Sequence, residues 1–381
     1  MFTFGIDRPP IGLHFYNPLF FYNNKLFENI ELIKNQNYVY LIQLRACDRL
    51  DENFELYNNL PEKVLFDVKK GNCVVLFEYL FEGFRTIQGI HVKTIIKNFI
   101  DKFNFPANKI YYIDSNNLNN NIDIPCTCLS FRFLFEHYES GLSDNEIKEI
   151  YDKYNKYEKR EYKFSCLNRI HKPFRFYLLY LLKDICKNND VIYSYQALDY
   201  NNNIVKIDEL YQNELKWYIG DINSSEFIKL NNSMPWNIDN YISCVETKYE
   251  FYTNSYFHVV VETLIGNDSI FFSEKTFKPI KMMQPFILVS CPHSLNVLKE
   301  EGYETFPELF NEEYDLIEDN KERIEFISNE IKRVYHMSHD ELTKKLYLIK
   351  DKLVHNAVLF RERNKNLGER LYKVLRENIS W

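Results

Sequence analysis

One short segment holds the residues whose types and spacing best suit the binding of a charged ligand. Glu262 ends a run of β-branched residues, Val259–Val261, and Ser273, Glu274 and Lys275 stand directly before a helical pattern. The carboxyl ends of parallel strands face the ligand crevice of an α/β sheet. The free N–H groups and the dipole of a helix start attract anions. The segment therefore predicts an anion-binding site, with Ser273 as the helix cap.

The charged side chains of this segment suit a diphosphate that is linked to a ribose. Lys275 and Lys278 would place cations close to the helix start, and Glu274 would accept hydrogen bonds from a ribose diol. Pro279 falls inside the predicted helix and should kink or shorten it. Taken alone, the segment is also consistent with an ordinary surface helix, because Glu and Lys are common in a first helical turn.

A second block, Lys163–Arg175 (KFSCLNRIHKPFR), is typical of a strand, a polar turn and a helix. Arg175, at the helix start beside a turn that contains Asn168, would be a reasonable diphosphate ligand. Arg169 and Lys172 compete for the same role. From the residues alone, a solvated loop charge is an equally good interpretation.

The stretch E-T-L…F-F-S-E-K-T-F-K-P-I…Q-P-F-I-L-V resembles the donor-binding signature of the α1,3-fucosyltransferase family. It is also similar to glycosyltransferase-like proteins of bacteriophages and large DNA viruses, which the Lys278-Pro279 pair and the stretch PHSLNVLKEEGY fit better. The likeness covers roughly Tyr162–Asn356, mainly the C-terminal half of the chain. It implies a glycosyltransferase of the GT-B type that uses a nucleotide-sugar donor.

The resemblance also implies roles for single residues. Glu274 would hold the donor ribose and Lys275 a phosphate, while Glu262 corresponds to the acidic residue before the donor-binding loop. Asn168 and Arg175 take the positions of an Asn that follows the strand and an Arg that reaches the donor phosphates.

An inverting sugar transfer needs a carboxylate or a His to take the proton of the acceptor hydroxyl. Glu82 and Glu78 follow a predicted buried strand of the N-terminal half, and we rank Glu82 first and Glu78 second. Asp48 is third, and each of these acids could instead be a helix cap or a first-turn acid. His137 and His258 are interpreted as structural.

The chain offers little for a metal ion or an organic cofactor. It contains no Asp-x-Asp sequence and no C-x-x-C pair, and Cys126 and Cys128 lack the second pair that a structural zinc site needs. No G-x-G-x-x-G follows a predicted strand, which argues against an NAD-dependent oxidoreductase. We therefore expect no metal and no cofactor, with the nucleotide-sugar as co-substrate.

The chain of 381 residues is long enough for two domains, and apolar runs alternate with helical patterns as in α/β proteins. We expect a GT-B fold: two Rossmann-like domains facing across a cleft, with long C-terminal helices. The domains would be 1–159 (acceptor side), 160–340 (donor side) and 341–381, a C-terminal helix that packs back on the N-terminal domain. The main predicted strands are Tyr38–Leu44, Cys73–Phe77, Ile110–Ile113, Phe164–Leu167, Val191–Tyr195, Ile242–Val245, Phe257–Val261 and Phe286–Ser290. The main predicted helices are Ile90–Phe103, Ser143–Lys159, Phe174–Cys186, Lys275–Met283 and Ser294–Glu301.

Charge and composition restrict the partners. The net charge of −7 provides no overall basic field for nucleic acid. Neither a signal peptide nor an apolar run of membrane-spanning length is present, and the cysteines suit a reducing compartment, so we expect a cytoplasmic protein. The acceptor would be a glycan or a hydroxylated base in viral DNA, the latter disfavoured by the charge. The alternative function is a non-catalytic module that binds a nucleotide-sugar or a glycan. The oligomeric state is left open.

Overall fold

The fold is described from a computed structural model of the chain. The structure describes residues 2–6, 25–27, 29–44, 59–79, 86–87, 90–115, 126–131, 141–186, 188–198, 216–219, 249–266 and 270–381. Within these residues the chain divides into two compact units, and we call them unit 1 and unit 2. Unit 1 comprises 1–138, 268–271 and 363–381, and unit 2 comprises 139–267 and 272–362.

Unit 1 contains a six-stranded parallel sheet with the strand order β2-β1-β3-β4-β7-β8. Its strands are β1 (Thr3–Gly5), β2 (Lys25–Phe27), β3 (Tyr38–Gln43), β4 (Cys73–Tyr79), β7 (Ile110–Asp114) and β8 (Thr127–Ser130). A small antiparallel pair consists of β5 (Thr86–Ile87) and β6 (Ile90–His91). The described helices of this unit are α1 (Glu62–Lys70), α2 (Val92–Phe103), a 3₁₀ turn at Ile30–Leu32, another at Ala107–Lys109 and the C-terminal α11 (Leu367–Asn378).

The sequence of unit 1 explains its core. β4 is buried along its whole length, as expected for a central strand of a parallel sheet that is covered on both faces. Helix α2 buries Ile95, Ile96 and Phe99 at helical spacing, and the ring of Phe99 lies edge-on to Phe77 of β4 at 4.9 Å. The connections through α1 and α2 thus form the βαβ crossovers that parallel strands require.

Unit 2 contains a four-stranded parallel sheet with the order β10-β9-β11-β12. Its strands are β9 (Tyr162–Ile170), β10 (Val191–Leu198), β11 (Ser255–Val261) and β12 (Phe286–Val289). Its described helices are α3 (Asp144–Asn155), α4 (Pro173–Leu182), α5 (Lys216–Ile219), α6 (Tyr249–Thr253), α7 (Glu274–Lys281), α8 (Ser294–Glu300), a 3₁₀ turn at Glu312–Leu316, α9 (Asn320–Tyr335) and α10 (His339–Lys365), whose last three residues fall in unit 1.

The predicted α/β class, with two Rossmann-like units, is confirmed: each unit holds a parallel sheet with crossover helices. Most predicted elements are present within a few residues of their expected ends. The first two residues of the predicted helix at Ile90–Phe103 instead form β6. The predicted strand Ile242–Val245 lies outside the described residues.

Local signals account for several element ends. The capping boxes at Ser143/Glu146 and at Ser338/Glu341 are both formed, and they start α3 and α10. Helix α10 ends at Lys365 and α11 begins at Leu367, so the C-terminal helical stretch is broken between these residues. In the division of the chain, unit 1's first segment ends at Tyr138. Helix α3, which the sequence placed before a boundary near 159, therefore belongs to unit 2.

Candidate functional site

The predicted anion site lies where β11 ends and α7 begins, and all of it belongs to unit 2. Glu262 follows the last residue of β11 directly and is fully buried. Eleven positions further on, Ser273 caps α7 with its side chain, which accepts a hydrogen bond from the Lys275 amide. Helix α7 has only 8 residues and ends two residues after Pro279, so this proline keeps it short, as predicted.

Four donors of the protein surround the Glu262 carboxylate. Oε1 accepts from the Ser273 amide at 3.0 Å and from the Thr276 hydroxyl at 2.6 Å. Oε2 accepts from the Ser273 hydroxyl at 2.6 Å and from the Thr263 amide at 3.2 Å. The carboxylate is thus an internal anion at the positive end of α7, and it fixes the helix start to the end of the strand. The sequence treated Glu262 as a ligand-binding residue, whereas its oxygen atoms are engaged within the protein.

Lys275 lies above this buried carboxylate and is partly exposed. Its Nζ atom donates to the hydroxyls of Thr263 at 3.3 Å and of Ser273 at 3.1 Å, and it lies 3.3 Å from Glu274 Oε1. These contacts are long for charged hydrogen bonds, so an incoming phosphate oxygen could replace them at little cost. The two hydroxyls hold the ammonium group at the N-terminus of α7.

Glu274 is ionised and partly exposed beside two cations. Burial raises the pKa of its carboxyl, but Lys275 and Lys278, together with the residue's own amide, more than offset this, and the net pKa is below its usual range. The site therefore presents a carboxylate that lies 3.3 Å from the Lys275 ammonium group and within the electrostatic influence of Lys278. This combination can accept hydrogen bonds from a diol and at the same time neutralise a diphosphate.

The second predicted group of ligands, on β9 and α4, is buried. Arg175 is 4% exposed, and its Nη2 donates to the carbonyl oxygens of Glu262 at 3.2 Å and Val261 at 3.4 Å. Asn168 is 3% exposed, and its amide contacts Cys166 Sγ at 3.2 Å. Arg175 thus ties α4 to the end of β11. Arg169 lies on β9, and its side chain is outside the described part of the structure.

His171 joins this group, and the sequence analysis did not single it out. Its Nδ1 is hydrogen-bonded to the Tyr195 hydroxyl, and its buried Nε2 has no hydrogen-bond partner among the described residues. Burial, followed by the cations Arg175 and Lys172, lowers the pKa of His171 to about 4. The imidazole is therefore neutral at pH 7. The feature of the sequence that could have identified His171 is its position in RIHKP, between a strand and a helix that begins with a proline.

Arg323 of α9 is a second residue that sequence reasoning missed. It is 2% exposed, and its five N–H groups donate to Ser290 O, Ile317 O, Glu318 O, Ile265 O and Asn320 Oδ1. The guanidinium group thereby joins the loop after β11 to the end of β12. An Arg in an amphipathic helix is usually exposed, so nothing local in the sequence separates this one from its neighbours.

Asp315, in the acidic stretch NEEYD, has a structural role. Its carboxylate accepts from the amides of Leu295 at 2.9 Å and Asn296 at 3.2 Å, so it caps α8 from a distance of twenty positions in the chain. By its residue type, Ser294 could be expected to cap α8. Ser294 is instead the first residue of this helix, and the N-cap His293 has no capping side-chain bond.

The predicted catalytic carboxylates belong to unit 1. Glu78 lies within β4 rather than beyond it, is 1% exposed, and accepts from Gln43 Nε2 at 2.8 Å. Asp114 at the end of β7 is a further buried carboxylate at a strand end, which the sequence analysis did not name. Glu82 and Asp48 lie outside the described residues.

Of the two histidines interpreted as structural, His258 is described and His137 is not. His258 is buried on β11, with Nδ1 2.7 Å from Ser165 Oγ. Burial and the nearby Lys278 lower its pKa to about 3.

Among the described residues, no group of three or more His, Cys, Asp or Glu side chains is arranged to hold a metal ion. Among the helices that the structure describes, none combines the length and the apolar character needed to cross a membrane.

Comparison with solved structures gives distant similarities. The chain is similar to the N-terminal domain of Candida albicans trehalose-6-phosphate phosphatase, with 9% identity and a TM-score of 0.45, over 92% of this chain and 72% of the other. An α1,3-fucosyltransferase matches with 12% identity and a TM-score of 0.37, over 94% and 91% of the two chains. The trehalose-6-phosphate synthase OtsA matches with 9% identity and a TM-score of 0.44, over 99% of each chain.

The sequence matches no protein-family model and no curated protein. Because the three TM-scores lie below 0.5, the α/β class of this chain rests on its own sheets and helices.

Proposed function

We propose that the protein is a GT-B glycosyltransferase that moves a sugar from a nucleotide-sugar donor to a hydroxyl acceptor, with inversion and without a metal ion. The acceptor is a hydroxyl of a glycan or of a modified base in DNA. The nucleotide-sugar is a co-substrate, and unit 2 binds it.

One observation carries the proposal: at the start of α7 the Glu274 carboxylate lies 3.3 Å from the Lys275 ammonium group, and the charge of Lys278 also lowers its pKa. This arrangement matches the chemistry of a nucleoside diphosphate. The ribose diol donates to a carboxylate, and the diphosphate requires cations nearby. The network around Glu262 holds these side chains on a short, rigid helix, and such a scaffold is what a positioned ligand needs.

In the proposed reaction a carboxylate removes the acceptor proton, and the acceptor oxygen forms a bond to the anomeric carbon. The bond between that carbon and the diphosphate oxygen breaks at the same time. Lys275 and Lys278 stabilise the charge that develops on the leaving diphosphate. Glu82 remains the first candidate for the base and Glu78 the second.

The test is a thermal-shift panel of UDP-, GDP- and CMP-sugars, followed by calorimetric titration of any donor that stabilises the protein. Binding to the folded state raises the apparent unfolding temperature. We expect Lys275→Ala to weaken binding by roughly tenfold or more, the usual value of a charge-assisted hydrogen bond. Lys281→Ala, at the opposite end of the same helix, is the matched control and should bind as the wild type does. If no donor binds, or if Lys275→Ala binds normally, the donor site is wrong.

Assays with the same donor distinguish a transferase from a non-catalytic binding module. Glu82→Gln and Glu78→Gln are assayed for donor turnover and for donor binding. An enzyme loses turnover and keeps binding in one of these variants. A protein that binds the donor but neither transfers nor hydrolyses it, even as the wild type, is a module.

A further inference from the structure

The described cysteines fall into two groups with different surroundings. Cys73, Cys166, Cys186 and Cys291 are buried. Burial raises the pKa of the Cys73 and Cys166 thiols to about 12, and that of Cys186 well above its ordinary value. Thiols of this kind are inert, because the thiolate is the reactive form.

Cys126 and Cys128 form the second group, at the start of β8 in unit 1. Both side chains are only half-buried. Cys128 is paired with Tyr112 of β7 in the sheet, whereas Cys126 lies at the bend before β8, one residue ahead of the first paired position, Thr127. The backbone ladder therefore fixes Cys128 and leaves Cys126 outside it.

The two thiols interact with each other. Cys128 Sγ lies 3.8 Å from the carbonyl oxygen of Cys126, so the side chain turns back towards its neighbour. A hydrogen bond from the Cys126 thiol lowers the pKa of Cys128, against the opposing effects of burial and of the Asp114 carboxylate, and the same bond raises the pKa of Cys126. The pair thus has one thiol suited to attack and one that supports it.

We propose that Cys126 and Cys128 are a redox-active dithiol, which a low-molecular-weight disulfide such as oxidised glutathione converts into an intramolecular disulfide. The proposal does not depend on the proposed transferase function. It rests on the adjacency of the two thiols, on their partial exposure, and on their contrast with the four buried cysteines.

The chemistry balances in two steps. Cys128 thiolate attacks one sulfur of oxidised glutathione, a mixed disulfide forms at Cys128, and one glutathione thiolate leaves. Cys126 then loses its proton to solvent, attacks Cys128 Sγ and expels the second glutathione. The protein loses two hydrogen atoms, and the oxidised glutathione is reduced to two molecules of glutathione.

The experiment treats the reduced, full-length chain with oxidised glutathione, blocks free thiols with an alkylating agent, and maps all eight cysteines by mass spectrometry of peptides. We expect a peptide that spans 126–128 to lose two hydrogen atoms and to escape alkylation. Cys166, which is buried, should stay reduced and is the internal control.

Two variants test whether each thiol resolves a mixed disulfide formed at the other. Cys126→Ser should accumulate the mixed disulfide at Cys128, because no second thiol resolves it. Cys128→Ser should likewise hold glutathione at Cys126, because this variant also lacks the second thiol that resolves the mixed disulfide. Unfolding midpoints of both variants are compared with the wild type.

The outcomes that overturn the proposal are specific. It fails if the 126–128 peptide of the wild type stays reduced, if its thiols end as stable mixed disulfides, or if either of them pairs with another cysteine. Should Cys128→Ser fold poorly, the wild-type map and Cys126→Ser still decide the matter.

Discussion

Glu262 illustrates how a single residue can look like a ligand and yet serve the fold. At the end of a β-branched run and before a Ser-Glu-Lys helix start, it stands where many ligand-binding carboxylates stand. The structure brings four donors to it, two of them from Ser273 eleven positions away. The sequence shows the carboxylate and the cap, but not that they meet, because that contact depends on the path of the loop between them.

The first prediction concerns this carboxylate. Glu262→Gln keeps the shape of the side chain but turns one acceptor oxygen into a donor that faces other donors. We expect the free energy of unfolding to fall by about 3 kcal/mol, measured by urea denaturation. Glu322→Gln, an exposed first-turn residue of α9, should change it by less than about 0.5 kcal/mol. Equal effects in both variants would contradict the buried network.

The second prediction concerns His258 and acid pH. Its folded pKa is about 3 because burial and Lys278 disfavour the charged form, whereas an unfolded His titrates near about 6.5. The unfolded chain therefore binds an extra proton between these values, and stability present above pH 6.5 is lost as the pH falls towards 3. The expected slope from this group is about 1.4 kcal/mol per pH unit.

His258→Asn removes the titrating group and keeps an atom near the position of Nδ1, which lies against Ser165. The free energy of unfolding is measured by denaturant titration from about pH 7 to pH 4, a range in which His258 of the unfolded chain takes up a proton and His258 of the folded chain does not. The slope of the variant should be smaller than that of the wild type by about 1.4 kcal/mol per pH unit. Parallel curves would show that His258 does not titrate as described.

At the scale of elements, local signals in the sequence predicted the type and the position of most helices and strands well. The start of α7 at its Ser273 cap and its short length at Pro279 both follow from residues within a few positions of each other. The cap of α8 is different, because Asp315 supplies it from twenty positions away. Contacts between elements, such as this cap and the Arg175 bonds to the end of β11, are set by tertiary packing, and for that reason one sequence does not reveal them.

The third prediction concerns Arg323, which links the loop after β11 with β12 and α9. A Lys ammonium cannot reproduce the planar set of donors that serves five acceptors. Arg323→Lys should lower the free energy of unfolding by about 3 kcal/mol. Arg333→Lys on the same helix, where the side chain is 46% exposed, should cost less than about 1 kcal/mol. The free energies of unfolding of both variants are measured by urea denaturation. Equal losses in the two variants would show that Arg323 does not link these elements.

At the scale of the whole molecule, alternation of apolar runs and helical patterns was sufficient to predict an α/β protein with two sheets. The division itself was harder to predict, because neither unit is a continuous stretch of chain. Unit 1 includes residues 363–381, more than 200 positions after its first segment ends. Helix α11 contributes Leu371 and Leu375 as buried residues of this unit, and the ring of Tyr372 packs edge-on against Phe2 at 5.5 Å.

The fourth prediction follows from this arrangement. Deleting residues 367–381 removes α11 and the contact between the Ser380 amide and the Tyr111 hydroxyl. Each fully buried Leu contributes about 1.5–3 kcal/mol, so unit 1 should be strongly destabilised. Limited proteolysis should cut unit 1 of the deleted chain faster than that of the full chain, while fragments from unit 2 persist. Substitution of Trp381 by Ala, which leaves α11 in place, is the milder control.

The carboxylate beneath α7 has a consequence for how a ligand would be attracted. Since Glu262 already balances the positive end of the helix, an incoming diphosphate gains little from the backbone and depends on the side chains of Lys275 and Lys278. Charges near the surface are screened over about 10 Å at 0.1 M ionic strength. Donor affinity should therefore decline steeply as sodium chloride is added during calorimetric titration, and a salt-independent affinity would point to a ligand held by uncharged groups.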